Sequence, residues 1–432
     1  MTPAARLSAA IEVLTDVEER RRPATDALKD WGLAHRFAGS GDRSAIASLV
    51  YDALRHRASA GWIMDDATPR AALLGALHLA RGWDTGRIAA LCSGERFAPQ
   101  PLSDAERSAL DTRKLDDAPA AIAGDYPDWL DAALADAFGD MRAAEARALA
   151  CRAPVDLRVN TLKVGRDRAL EELAYLGAVA AELSPVGLRI ALGEDARAPA
   201  VQAEPAFQKG WIEIQDEGSQ LAAQLAAPDP GMQVVDLCAG GGGKTLALAA
   251  LMDNHGQIFA TDSDKRRLAP IFDRLTRSGV RNVQVRSPRG RDDDPVADLH
   301  GLADLVLVDA PCTGTGTWRR NPDANWRVRP RSLDDRVAEQ AIVLDRAAAL
   351  VRPGGRIAYI TCSVLPAEND GTVDAFLQRH PAFHPLAAAK TAADAGLPGL
   401  PDRAWPCRHG LQLTPLRTGT DGFYVALLRR QG

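Results

Sequence analysis

Apolar positions in the first third of the chain repeat at helical spacing. Leu7, Ile11 and Leu14 share one face, as do Ile46, Leu49, Val50 and Leu54, and a period of three to four residues marks amphipathic helices. Ala71 to Ala80 predicts another, entered through Thr68 as N-cap and Pro69 at the first helical position. The pattern stays helical to about residue 137 and gathers no set of chemically competent side chains. It then becomes mixed. Val155 to Leu162 alternates like a strand, Asp167 to Leu176 reads as a helix closed by Gly177, and Leu188 to Leu192 is a second short strand. Ile212 and Ile214 alternate with Glu213 and Gln215, and Glu217 to Leu225 is helical again.

From residue 231 strands and helices alternate. Val234–Leu237, Ile258–Thr261, Val283–Val285, Leu305–Val308 and Arg356–Thr361 read as strands. Between and after them lie helices at Lys244–Met252, Asp264–Ser278 (kinked or started late by Pro270), Leu333–Val351 (stopped by Pro353-Gly354-Gly355) and Ala367–Gln378. Such alternation predicts an α/β fold with a doubly wound parallel sheet. Leu411–Leu413 and Gly422–Leu428 predict a closing hairpin that gives the sheet an antiparallel edge. The expected organisation is an all-α domain over 1–137, a small α+β module over 138–226 and the α/β domain over 227–432.

Composition narrows the class. Hydrophobic residues at 46% and charged residues at 25% are ordinary for a soluble globular protein. No run of 18 apolar residues predicts a membrane helix. The first 22 residues meet Glu12 and Asp16 before any long apolar run, which is unlike a signal peptide. Six scattered cysteines without a CxxC pair argue against zinc and a disulfide framework, and for a reducing cytoplasm. A net charge of −5 excludes a basic nucleic-acid binder of the simple kind. Charge is uneven, however: Lys265 to Arg291 holds nine basic residues and one acidic one.

Two strand ends carry the candidate chemistry. The apolar run 303–308 leads into Asp309-Ala310-Pro311-Cys312-Thr313-Gly314-Thr315-Gly316. A carboxylate, a proline and a thiol thus stand where a core strand ends, the place at which open α/β sheets bind ligands. The first βα turn reads Cys238-Ala239-Gly240-Gly241-Gly242-Gly243-Lys244-Thr245. A glycine-rich turn opening a helix lets backbone N–H groups approach a polar or anionic ligand. Lys244 stands in the first helical turn, where the macrodipole disfavours a cation. Gly243-Lys244-Thr245 fits the end of a P-loop, with Leu305–Asp309 as a magnesium-holding strand, but Cys238 stands where that motif needs its first glycine. Asp262 ends the second strand about twenty residues on, where an acid hydrogen-bonds ribose hydroxyls; it or Ser263 can equally cap the next helix. Nicotinamide dinucleotides and S-adenosylmethionine share this logic. The unusual glycine pattern and the terminal hairpin favour the second.

Cys238 to Thr245, Asp309 to Gly316 and Thr361-Cys362-Ser363, in that order, resemble the RsmB/Sun/Nop family of RNA 5-methylcytosine methyltransferases. The similarity runs from about Ala153 to the end and takes in Gly210-Trp211 to Gln215-Asp216. Asp42-Arg43, Leu49-Val50-Tyr51 and Leu54-Arg55 resemble the NusB-like RNA-binding domain of bacterial members. The resemblance implies a Rossmann-like class I methyltransferase domain that binds S-adenosylmethionine through Cys238, Ala239, Gly240, Gly241, Gly242, Gly243, Lys244, Asp262 and Asp309. It implies Cys362 as the nucleophile that adds to C6 of cytosine, Cys312 as the group that helps release the product, and Asp309 against the ring. From the residues alone the two cysteines end neighbouring strands and are not ranked. The chain departs from the family at Gly240 and Gly241, where Ala and Pro are usual, and at Ser287-Pro288-Arg289, where an acid usually contacts adenine.

Arg319, Arg320, Arg327, Arg329 and Arg331, interleaved with Trp318 and Trp326, read as a surface for single-stranded RNA. The expected substrate is a small-subunit (16S) ribosomal RNA cytosine, with transfer RNA or another ribosomal site as the alternative, acted on by a monomer without a metal. A P-loop NTPase and a catalytically inert RNA-binding protein are the competing readings.

Overall fold

The computed structural model describes residues 1–193, 198–290 and 293–432. Contacts divide the chain into two compact units.

The first unit comprises Met1–Arg152 with a later segment, Trp318–Val328. It is helical. Thr2 accepts a hydrogen bond from the Ala5 N–H and Pro3 opens the helix Pro3–Arg20. Thr68 and Pro69 open Pro69–Arg81 in the same way, and Gly82 closes it in the left-handed conformation. Leu7, Val13, Leu14, Ile46, Leu49, Val50 and Leu54 meet in its core, as the apolar spacing requires. Ile11 is only partly buried at its rim.

The segment Trp318–Val328 revises one expectation. Trp318 and Arg319 are 2% and 4% exposed, so neither forms part of an RNA-facing surface. Trp326 packs on the helical core and donates its Nε1–H to the Leu54 carbonyl at 2.7 Å. Asn325 donates to the Asp125 carbonyl at 2.6 Å, Asp323 accepts from the Ala24 N–H, and Arg55 donates to the Arg319 carbonyl at 2.8 Å. Trp318 is buried and Trp326 is partly buried against the helical core, and of the two arginines between them Arg319 is buried as well. Arg320, Arg327, Arg329 and Arg331 stay exposed.

The second unit holds two sheets. Strands β1 (Val155–Val159), β2 (Ala178–Ala180), β3 (Gly187–Ile190) and β4 (Ile212–Ile214) form a small antiparallel sheet in the order β2-β3-β1-β4. The helix Arg166–Leu173 and a 3-10 turn cover it, ending at Gly177 with φ of +74°. The larger sheet uses β5 (Gln233–Asp236), β6 (Gln257–Ala260), β7 (Val283–Val285), β8 (Ala303–Asp309), β9 (Val351–Thr361), β10 (Phe383–Pro385), β11 (Trp405–Pro406), β12 (Leu411–Leu413) and β13 (Phe423–Arg430). Their order is β7-β6-β5-β8-β9-β13-β12-β11, with β10 also on β13. β5 to β9 run parallel; β13 lies antiparallel between β9 and β12. This is the doubly wound sheet with an antiparallel edge that the alternation predicts.

Two boundaries differ from expectation. Pro270 separates two helices, Lys265–Leu268 and Ile271–Ser278, because it lacks the N–H that one continuous helix needs. β9 starts at Val351, directly after the helix Pro330–Leu350, and not at Arg356. Its register against β8 jumps from Ala303↔Val351 to Leu305↔Arg356. Pro353 and Gly354 sit in that irregularity, which spares the proline a ladder bond. Among the described residues no helix is long and apolar enough to cross a membrane.

Candidate active site

Strand order reverses at β5, which has β6 on one side and β8 on the other. The carboxyl ends of β5 and β8 therefore bound a switch-point crevice, and the two motifs emerge there. β5 ends in Asp236 and feeds the glycine turn; β8 ends in Asp309 and feeds the Cys312 loop.

The glycine turn is tied from several sides. The Ala239 N–H reaches the Thr261 carbonyl at 3.0 Å, and the Gly242 N–H closes onto the Ala239 carbonyl at 2.8 Å. Gly242 has φ of +81°, and a Cβ there would lie 2.5 Å from Ile271 Cγ1. Gly242→Ala is therefore expected to cost about 1–3 kcal/mol of stability through backbone strain and collision, read as a lower denaturation midpoint with an unchanged slope. Two arginines that sequence reasoning missed hold the turn's carbonyls: Arg158 of β1 donates to Gly243 at 2.7 Å and Arg274 to Gly241 at 2.6 Å. Burial pulls the Arg158 guanidinium down to about 10. Arg274 also pairs with Glu213 at 3.0 Å, and Arg277 joins the same carboxylate. Part of the basic run from Lys265 is thus spent inside the fold. Its last residue, Arg291, lies outside the described residues.

Asp262 is 2% exposed at the end of the β6 strand. Its Oδ2 accepts from the Gly240 N–H at 3.0 Å and its Oδ1 from the Asp264 N–H at 3.0 Å, with Arg267 at 3.5 Å. Asp264 itself caps the following helix through the Arg266 N–H. Lys244 is 7% exposed and donates to Asp309 Oδ2 at 2.7 Å, with the Phe423 ring 5.0 Å away. That partner explains a cation in the first turn of a helix.

Asp236 is fully buried and accepts from the Thr245 hydroxyl at 2.7 Å. Burial pushes its carboxyl up to about 7; the Asp309 charge adds to this and the Thr245 bond opposes it. The folded chain therefore keeps a proton that the unfolded chain releases near 3.8. Stability contributed by this group is present in acid and is lost as pH rises through about 7. Urea unfolding across that window should show the falling trend, and Asp236→Asn should flatten it. Burial, with Asp236, Asp309 and Asp262 nearby, also raises the Cys238 thiol.

The two remaining motif cysteines meet. Cys312 Sγ and Cys362 Sγ are 3.3 Å apart, each just beyond the end of a neighbouring parallel strand. The Ala310 N–H reaches the Ile360 carbonyl at 2.8 Å, and the Gly316 N–H the Cys362 carbonyl at 2.9 Å. The hydrogen bond to Cys362, then burial, holds the Cys312 thiol well above its ordinary value. The site thus gathers a thiol pair, a lysine–aspartate pair and a glycine turn flanked by Asp262 and Asp309. The carboxylates Asp262 and Asp309 suit a ligand that carries positive charge, as the sulfonium and ammonium of S-adenosylmethionine do. They do not suit a triphosphate, and the lysine that a P-loop would aim at phosphate is engaged by Asp309. Ser287 and Arg289 follow β7; the Arg289 N–H donates to Asp293 at 2.7 Å.

Residues 223–429 match the family model described as 16S rRNA methyltransferase RsmB/F, and residues 126–195 match its ferredoxin-like domain. The chain is 33% identical over 308 residues to ribosomal RNA small subunit methyltransferase B of Enterobacter sp. (strain 638), spanning 71% of this chain and 67% of that one. It is 34% identical over 340 residues to the protein of the same name from Sodalis glossinidius, spanning 78% and 70%. Among solved structures, PH0851 superposes with a TM-score of 0.72 at 27% identity, over 100% of this chain and 99% of that one. The chain belongs to the RsmB/F family of S-adenosylmethionine-dependent ribosomal RNA methyltransferases.

Proposed function

We propose that this protein transfers a methyl group to C5 of a cytosine in small-subunit ribosomal RNA through a covalent cysteine–C6 adduct. The observation that carries this reading is the 3.3 Å approach of Cys312 and Cys362 at the ends of adjacent strands. A family that methylated an exocyclic amine or a ribose hydroxyl would have no use for two thiols in one cleft. C5 of cytosine is a weak nucleophile. Addition of a thiolate to C6 places electron density on C5, which then takes a methyl group; loss of the C5 proton and expulsion of the thiolate restore the ring and the enzyme.

S-adenosylmethionine supplies the electrophilic methyl group. The backbone of Cys238 to Gly243 and the carboxylates Asp262 and Asp309 are the groups assigned to hold it, with Lys244 fixing Asp309. Cys362 attacks C6. Cys312, whose thiol is raised by its hydrogen bond to Cys362 and by burial, assists breakdown of the adduct. Asp309 lies against the base, which must be unstacked to enter. The helical segment 1–137 is assigned to RNA recognition.

Incubating the protein with small-subunit RNA and methyl-labelled S-adenosylmethionine, followed by digestion to nucleosides, tests this. Label in 5-methylcytidine supports the reading; label on another base, on N4 of cytosine or on ribose contradicts it.

A further inference from the structure

Past Asp309 and Ile360 the ladder between β8 and β9 ends, and beyond it the two cysteine loops are joined by the Gly316 N–H on the Cys362 carbonyl at 2.9 Å and by the Thr315 hydroxyl, which meets the Ser363 hydroxyl and the Val364 N–H at 3.0 Å each. Glu368 adds a third tie, nearest the two sulfurs. It follows β9 in a short 3-10 turn and is fully buried. Its Oε1 accepts from the Thr313 N–H at 2.8 Å and from Gln340 Nε2 at 3.1 Å. Its Oε2 accepts from the hydroxyls of Thr313 and Ser363, each at 2.5 Å. Thr313 directly follows Cys312, and Ser363 directly follows Cys362. Gln340 also reaches the carbonyl of Pro311 at 3.0 Å, on the other side of Cys312. The Tyr359 hydroxyl donates to the backbone carbonyl of Glu368 at 2.6 Å, which fixes the turn.

Among the described residues no lysine or arginine stands within ion-pair distance of this carboxylate. Four uncharged donors alone support it. Burying a carboxylate without a cation is costly, and the packing at this spot needs no charge. What the carboxylate provides is four acceptor directions from one rigid group, enough to grip both loops together.

We propose that Glu368 is a positioning residue of the reaction: it clamps the Cys312 loop to the Cys362 loop and so sets the separation of the two sulfurs. The proposal rests on the two-cysteine reading above, but the clamp can be measured without methylation. Glu368→Gln keeps the shape. Its amide oxygen still accepts from Thr313 and Gln340, and the two hydroxyls can turn to accept from the amide nitrogen. Glu368→Ala removes all four of the carboxylate's bonds and leaves only the Gly316 and Thr315 ties between the loops.

The test uses the full chain and diamide, a diazene oxidant. Each disulfide formed takes two electrons and two protons from the thiol pair and leaves diamide as the hydrazine. The Cys312–Cys362 disulfide is counted by mass spectrometry, well below the unfolding temperature of each variant. The wild type should crosslink readily and Glu368→Gln should stay close to it. Glu368→Ala should crosslink at least about tenfold more slowly, and its kcat should fall on the order of 10²-fold with KM for RNA and cofactor unchanged. Should Glu368→Ala not fold, the pair Thr313→Val with Ser363→Ala removes both Oε2 donors and should slow crosslinking in the same direction. Wild-type crosslinking rates in whichever of these variants folds would overturn the clamp. Slowed crosslinking in a protein that makes no 5-methylcytidine would leave the clamp standing and remove the proposed reaction instead.

Discussion

Replacing Cys312 with alanine should trap the protein on its RNA, and replacing Cys362 should keep it from attaching at all. Both sulfurs lie in one cleft, 3.3 Å apart, so either could reach the same base. The hydrogen bond to Cys362, then burial, raises the Cys312 thiol, and the two roles are separated by what each variant leaves on the RNA. With Cys362 as nucleophile, Cys362→Ala should lower methylation by on the order of 10⁴–10⁶-fold, and no RNA-linked species should survive denaturation. Cys312→Ala should still attack and transfer, then release poorly, so that a slow-migrating protein–RNA band accumulates on a denaturing gel. The opposite pattern would make Cys312 the nucleophile. Methylation that survives in both variants without any adduct would end the covalent mechanism.

Asp309→Ala should damage fold and chemistry together, whereas Lys244→Met should be tolerated better by the fold. Lys244 is buried, with Asp309 as its partner at 2.7 Å. Deleting the aspartate strands an ammonium in a poor dielectric; deleting the lysine leaves a carboxylate whose side chain is 34% exposed and can be hydrated. The expected cost of Asp309→Ala is about 2–4 kcal/mol, toward the lower end because water reaches part of the pair. Lys244→Met should cost less, and the double variant should be more stable than Asp309→Ala alone. Thermal melts of the four proteins decide this. Equal losses in the two single variants would show that the pair is not asymmetric in the way burial requires.

The α/β alternation, the strand-end motifs and the terminal hairpin were legible because each is a local pattern. Apolar runs of four to six residues separated by glycine turns leave little freedom once the sheet is parallel. The adjacency of Cys312 and Cys362 followed from the same logic, since each stands just past a strand end. Long-range partners were not legible. Nothing near Lys244 in sequence names Asp309, 65 residues on, and nothing in β1 marks Arg158 as a support for the glycine turn. The Trp318–Val328 stretch misled because arginine and tryptophan interleave both in RNA-binding surfaces and where a segment packs on a helical core; composition does not separate the two. Glu368 carried no signal at all, because a carboxylate five residues after Ser363 acquires meaning only when the Thr313 loop folds against it.

The most direct test of the central claim is bisulfite sequencing of small-subunit ribosomal RNA from cells lacking this chain. The account predicts one cytosine that resists conversion in the parent, converts in the deletion, and resists again when the wild-type chain is restored but not when Cys362→Ala is. Unchanged conversion at every cytosine across these strains would contradict it.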